Sequence, residues 1–478
     1  LKKNWHCSCT LSGKEENVWK MKGVVVMLAF LGFATVIVML VLVMTKKTSP
    51  TVALIGVPVV TGIISSFFRV TDAKAAPGVV DVLANIKNLG GFITEKSGIG
   101  SVAATGVMFI FSILFFGVLT DAGTFRPIIG KVLKLVGTDP VKITIGTAVL
   151  AMIVHLDGSG AVTFLICIPA LVPLYDAVGM RRVTLATIVA MSAGVMNIMP
   201  WGGPTIRAAT AMQMDVMELF RPMMIPVIAG LAMVIVFAVL LGRAEKKRIG
   251  ASTLVQVSEY KMELTEEEKA LERPKLFVVN VILIIAAIAA LLKSGFPPAV
   301  VFMVAFIVAV VINYPNPAEQ KKRVDAHAKS ALMMASVLFA AGCFTGIMKE
   351  TGMITAMATT LCSIIPQSLG RFFPIITGVI AMPASLLFDP DSFYYGVLPV
   401  LSSTAEGFGV AGVNVARAAI LGQMTTGFPV SPLTPATFLL VGLAGVDFGE
   451  HQKRTIPFAF ILTIVMLIVS FAIGSIAL

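Results

Sequence analysis

Long apolar runs separated by short polar stretches dominate the chain. GVVVMLAFLGFATVIVMLVLVM at 23–44 and VIAGLAMVIVFAVLLG at 227–242 carry no charge. A helix of about 20 apolar residues spans a bilayer. Runs of this kind predict spans at about 23–44, 51–68, 101–121, 183–218, 220–242, 275–293, 296–313, 331–349, 413–448 and 455–477. Two further apolar regions, 141–176 and 372–405, are broken at their centres by polar residues. Such breaks suit re-entrant hairpins, because non-helical backbone at membrane depth must be buried in protein or line a wet cavity. The runs are continuous rather than alternating, which argues against a β-barrel. The expected fold class is an all-α polytopic membrane protein.

The breaks recur in order. FGVLTDAGTF (116–125) resembles FTGIMKETGMI (344–354), HLDGSGAVTFLICIP (155–169) stands against FDPDSFYYGVLP (388–399), and SAGVMNIMPWGGPT (192–205) against TTGFPVSPLTPAT (425–437). Each half then holds five spans, a re-entrant hairpin and a Gly/Pro-broken helix. Five is odd, so the second half is inverted. The expected organisation is a first repeat at 21–242 with an inner hairpin at 141–176, a charged cytoplasmic linker at 243–275, and a second repeat at 276–478 with an outer hairpin at 372–405. Inverted repeats with paired broken helices point to a secondary transporter with a mid-membrane site.

Charge fixes the expected orientation. With Lys46 and Lys47 in the cytoplasm, 22 basic residues fall inside and eight outside, in line with the positive-inside rule. Both termini then lie outside. That position suits the lysines of residues 1–20 poorly, so this polar segment is expected to be non-native or disordered. The net charge of +11 belongs to membrane loops and predicts no nucleic-acid partner. Composition agrees, with 57% hydrophobic and 13% charged residues.

Chemistry concentrates in the breaks. A charged aspartate at mid-membrane costs about 3 kcal/mol on insertion scales, so Asp157 in LDGSG needs a partner. A helix cap, a cation ligand and a proton carrier all remain open for it, and His155 could relay a proton or serve structure alone. Ser159 can donate to an anion, and Gly160, Gly202 and Gly203 let backbone approach a ligand. Asn197, Thr205 and Arg207 complete the first candidate substrate set, with Trp201 possible as a lining residue. In the second half, Asp389 and Asp391 form a DxD suited to a hard divalent cation or to a capping turn. Ser392, Ser431 and Thr434 supply hydroxyls, and Arg417 could contact substrate or anchor structure. Half-helix N-termini suit carboxylates and unwound carbonyls suit cations, so the set matches an anion moving with a cation.

The stretches HLDGSGAVTFLICIPALVPLY, NIMPWGGPTIRAA, LLFDPDSFYYGVLPVL and GFPVSPLTPATFLLVGLAGVDFGEHQKR resemble the citrate–divalent-metal–proton symporter (CitMHS) family of the ion transporter superfamily. The resemblance runs from about residue 27 to the C-terminus. It implies uptake of citrate complexed with Mg²⁺ or Ca²⁺, in symport with protons, across a bacterial cytoplasmic membrane. The metal is then carried with citrate, and no cofactor is held permanently. Distant relatives imply a homodimer with scaffold and transport domains moving as an elevator. Their hairpin tips carry Ser-Asn-Thr, whereas this chain has Asp-Gly-Ser-Gly and Asp-Pro-Asp-Ser, which puts a sodium site in doubt.

Two other readings compete. One is a sodium- or proton-coupled transporter of another organic anion, a dicarboxylate or gluconate. The other is an intramembrane hydrolase built on Ser159 and His155, but a GxSxG signature is absent and that reading leaves the paired breaks without a role.

Overall fold

The computed structural model describes residues 15–477 apart from 46, 69–79, 96, 251–265 and 294. Residues 1–14 of the expected extraneous segment and residues 251–265 of the expected linker therefore lie outside the described residues. Everything described is helix or connection, with no strand among the described residues. Among the described residues, eight helices are long and apolar enough to cross a membrane.

The first part runs α1 (Glu15–Met44), α2 (Pro50–Ser65), α3 (Val82–Thr94), α4 (Ile99–Asp121) and α5 (Arg126–Val136). Helices α3 and α5 stand where loops were expected. Asp81 starts α3 by accepting the Ala84 N–H, and Pro127 sits in the first turn of α5, both ordinary helix starts. Then follow α6 (Pro140–Val154), α7 (Gly160–Val178), α8 (Arg182–Met196), α9 (Gly203–Ala211), α10 (Val216–Phe220) and α11 (Met224–Ile249). The span expected at 183–218 is thus two half-helices and a short third, because Pro200 and Pro204 cannot continue a helix hydrogen-bonded through the break.

Helix α11 carries its helical phase to Ile249, into the expected linker, and α12 (Glu266–Leu271) lies at the linker's far end. Fully buried Glu245 explains the extension. It accepts from Thr184 Oγ1 and Arg181 Nε at 2.7 Å and from Arg248 Nε at 2.9 Å, fastening the end of α11 to the start of α8. Charge-assisted contacts of this kind are among the stronger hydrogen bonds.

The rest comprises α13 (Phe277–Lys293), α14 (Pro298–Asn313), α15 (Pro317–Glu350), α16 (Met353–Ile364), α17 (Gln367–Gly370), α18 (Phe373–Ala384), α19 (Leu398–Gly407), α20 (Gly412–Ile420), α21 (Pro435–Ala444) and α22 (Phe448–Ala472). Helix α15 begins well before the span expected at 331–349. Asn316 caps it and Pro317 opens it, so the basic stretch Lys321–Lys329 is helix rather than loop.

Packing forms two neighbourhoods. Helix α4 lies against α14 and α15, and α15 also packs on α2 and α3. In the other, both arms of the first broken region, α6 and α7, pack on α8, and both arms of the second, α18 and α19, pack on α20. Buried hydroxyl pairs tie the second neighbourhood across the chain: Thr187 and Thr455 at 2.8 Å, Thr426 and Thr463 at 2.6 Å.

Candidate transport site

Both polar breaks end in an aspartate-closed turn. Asp157 Oδ1 accepts the Ser159 N–H at 2.8 Å, and Asp389 Oδ1 accepts the Asp391 N–H at 3.0 Å and the Ser392 N–H at 3.1 Å. The Ser392 hydroxyl also donates to Asp389. Gly158 takes a left-handed φ of +74° against the Trp201 ring, a conformation that costs glycine least. Beyond Asp389 the backbone widens into a π turn over Ser392–Val397, a feature common at functional sites.

The two later breaks are pinned alike. Thr205 Oγ1 donates to the Ile198 carbonyl at 2.7 Å, and Thr434 Oγ1 to the Phe428 carbonyl at 2.8 Å. Ser431 Oγ donates to the Ser385 carbonyl at 2.5 Å, joining the second break to the end of α18. Thr205 thus satisfies a carbonyl that the interrupted helix leaves without an N–H partner, as buried backbone groups require, and Thr434 joins Thr437 Oγ1 and the Ser431 N–H on the Phe428 carbonyl.

A cavity of about 450 Å³ lies between these breaks and the α4–α15 pair, within the size range of small-molecule sites. Of the residues expected from sequence, Asp157, Ser159, Gly160, Asn197, Trp201, Gly203, Arg207 and Thr434 line it. Pro390 brings the second turn to the same space. The first residues of α7, α9 and α21 all reach the wall. Neither α9 nor α21 has a side-chain cap at its N-terminus. Three positive dipole ends, each worth roughly +0.5 charge, thus meet one carboxylate, Asp157.

Other expected residues are committed to the protein. His155 is buried with Nδ1 2.8 Å from Thr163 Oγ1. Asn197 donates to the Met424 carbonyl at 2.9 Å, and Trp201 Nε1 to the Leu156 carbonyl at 2.8 Å. Gly202 packs so closely that an added Cβ would lie 2.1 Å from the Asn197 carbonyl oxygen. Arg207 Nε meets Asp391 Oδ1 at 2.7 Å, across 184 positions. The two acids of the DxD therefore face different partners, Asp389 its own turn and Asp391 an arginine of the other half. Arg417 stands away from the cavity and donates to the carbonyls of Glu218, Leu219 and Ser475 at 3.1–3.4 Å. Those carbonyls belong to α10 and to the segment after α22.

Sequence reasoning missed His327. It lines the cavity from α15, its ring flat against α4 at Gly117, where an added Cβ would meet it at 2.7 Å. The signal was present as a histidine one helical turn beyond Arg323 in a stretch assigned to a loop.

The citrate transporter family CitMHS matches residues 22–422. A "Citrate transporter" of Bacillus subtilis is 43% identical over 94% of this chain and all of the relative. A "Mg(2+)/citrate complex secondary transporter" of the same organism is 41% identical over 95% of this chain and all of its own. Among solved structures, the Alcanivorax borkumensis YdaH transporter is similar with a TM-score of 0.61 over 89% of this chain and 98% of that one, at 14% identity. MtrF of Neisseria gonorrhoeae has a TM-score of 0.57 over 88% and 94%, also at 14% identity. These likenesses extend the polytopic helical fold to solved transporters. The chain belongs to the CitMHS family of citrate transporters, whose members are membrane transporters and not enzymes.

Proposed function

We propose that the chain is a secondary active transporter that takes up citrate complexed with Mg²⁺ or Ca²⁺, in symport with protons. The observation that carries this reading is the convergence of three helix N-termini and one carboxylate on a single cavity. Citrate at neutral pH is close to a trianion, and a bound divalent metal leaves roughly a monoanion. The N-terminal dipoles of α7, α9 and α21 suit its free carboxylates. Asp157 repels bare citrate but attracts the metal it carries. The relative named as a Mg(2+)/citrate complex transporter supports the same cargo.

The matched turns at Asp157 and Asp389, the matched pins at Thr205 and Thr434, and the matched packing of hairpin arms on α8 and α20 support two inverted repeats, 21–242 and 276–478, joined by the linker 243–275. On this reading α4, α14 and α15 belong to a scaffold, probed by the cavity on one side. The hairpins and broken helices form a transport domain that moves past it as an elevator in a homodimer. The membrane is a bacterial cytoplasmic one, with both termini outside.

Uptake of labelled citrate into proteoliposomes tests the reading. Uptake should require Mg²⁺ or Ca²⁺ and rise with an inward proton gradient. Equal uptake in excess chelator would remove the metal from the cargo, and indifference to the gradient would remove the proton.

A further inference from the structure

We propose that the Arg207–Asp391 ion pair is the element that makes the metal obligatory, by exchanging for two contacts with the arriving complex. Arg207 takes a free carboxylate of citrate, and Asp391 meets the metal side. The proposal rests on metal–citrate being the cargo.

The pair has an unusual form for a structural bridge. It is a one-point contact, Nε to Oδ1 at 2.7 Å, although a guanidinium and a carboxylate can meet through two parallel bonds. Arg207 Nη1 and Nη2 and Asp391 Oδ2 have no hydrogen-bond partner among the described residues, and none of the three is fully buried. Both side chains are only 12% and 11% exposed. Arg207 lines the cavity, and so does Pro390, the neighbour of Asp391. Gly203 makes room for the guanidinium, since an added Cβ there would lie 2.7 Å from Nη1.

Removing one partner of a buried pair leaves the other charge uncompensated, which costs far more than the intact pair contributes. Bare citrate that takes Nε as well as an open Nη displaces Asp391 and strands it. A free divalent cation that takes both Asp391 oxygens displaces Arg207 and strands it. A ligand bearing both signs compensates both at once, and metal–citrate is such a ligand. The pair thus discriminates against each component by the charge it would abandon.

Calorimetric titration of the purified full-length transporter in lipid nanodiscs tests this, with Mg²⁺ alone, citrate in excess chelator, and the two mixed. The wild type should bind the mixture at least about tenfold more tightly than either component. Asp391→Asn frees Arg207, so the preference for the complex over bare citrate should fall by about tenfold. Arg207→Lys keeps the charge but loses the fork. It should retain the metal preference while binding the complex about tenfold more weakly. A wild type that binds citrate equally without metal would overturn both the cargo and the exchange. A metal-dependent wild type whose preference is unchanged in Asp391→Asn would overturn the exchange alone. So would unchanged affinity in Arg207→Lys, a variant that preserves a partner for Asp391 should the neutral one misfold.

Discussion

His327 Nε2 on α15 lies 2.9 Å from Asp121 Oδ2, the last residue of α4, and Arg323 Nη1 reaches the same oxygen at 2.9 Å. One carboxylate therefore joins the two helices that form the cavity wall opposite the hairpin tip. Asp121→Asn removes its charge and leaves Arg323 without an anion. The lost charge-assisted bonds should lower stability by about 1–3 kcal/mol. Because His327 is held against the wall by Asp121, the KM for metal–citrate should rise with the loss. Thermal melting and uptake kinetics on the same preparation check both. A lowered melting point with unchanged KM would confine the pair to joining helices.

Gly202 can be tested against a glycine that has space. Ala at 202 would place Cβ 2.1 Å from the Asn197 carbonyl oxygen and 2.9 Å from that of Met199. Both are backbone atoms of the first break and cannot swing aside as a side chain would. Gly202→Ala should abolish uptake. Gly130→Ala on α5, where nothing lies within 4 Å, should leave uptake near wild type. Equal uptake in the two variants would show that the break tolerates a wider backbone.

The fold was largely legible because its signals are local. Apolar length marks a span, and a proline with paired glycines marks a break, as at Pro200, Gly202 and Gly203. The turns at Asp157 and Asp389 were legible as alternatives, cap or ligand, and both carboxylates do close their turns. What stayed hidden depends on pairing between distant positions. Nothing near Arg207 announces Asp391, 184 positions away, and nothing near Asp121 announces His327. The amphipathic α5 and the capped α3 were also hidden, since a window tuned to apolar runs passes over short helices that bury one face. Arg417 was ambiguous for a further reason: an arginine reads the same in sequence whether it faces a ligand carboxylate or three backbone carbonyls.

Thr205 and Thr434 differ from ligands in a measurable way. Each hydroxyl donates to a carbonyl six or seven residues earlier. Valine keeps the shape and removes the donor, which leaves the Ile198 carbonyl unpaired at a cost of about 1–3 kcal/mol, whereas the Phe428 carbonyl keeps the Thr437 Oγ1 bond at 2.8 Å and loses less. Thr205→Val and Thr434→Val should each lower the melting temperature and the maximal uptake rate, Thr205→Val the more. A change in KM without a loss of stability would mark the hydroxyl as a substrate contact instead.

Arg417→Gln should behave as a structural change. Its guanidinium bridges carbonyls at the end of α10 to one beyond α22, and glutamine cannot span all three. Expression and melting temperature should fall, while the KM of the surviving protein for metal–citrate stays at the wild-type value. A raised KM in a fully stable variant would return Arg417 to the substrate path.

Asp157 combines a turn and a charge, and two substitutions separate them. Asparagine retains an oxygen that can accept the Ser159 N–H, now held at 2.8 Å, so the Gly158 turn and the start of α7 should survive. Alanine loses that acceptor as well as the charge. If the carboxylate meets the metal of the arriving complex, Asp157→Asn should fold as well as wild type and lose affinity for metal–citrate by about tenfold. Asp157→Ala should lose the same affinity and also stability, by the order of a helix-cap deletion, about 1 kcal/mol. Titration of both proteins with Mg²⁺–citrate, alongside melting curves, measures the two effects. Wild-type affinity in Asp157→Asn would leave the residue as a turn-former only, and the metal would then depend on Asp391.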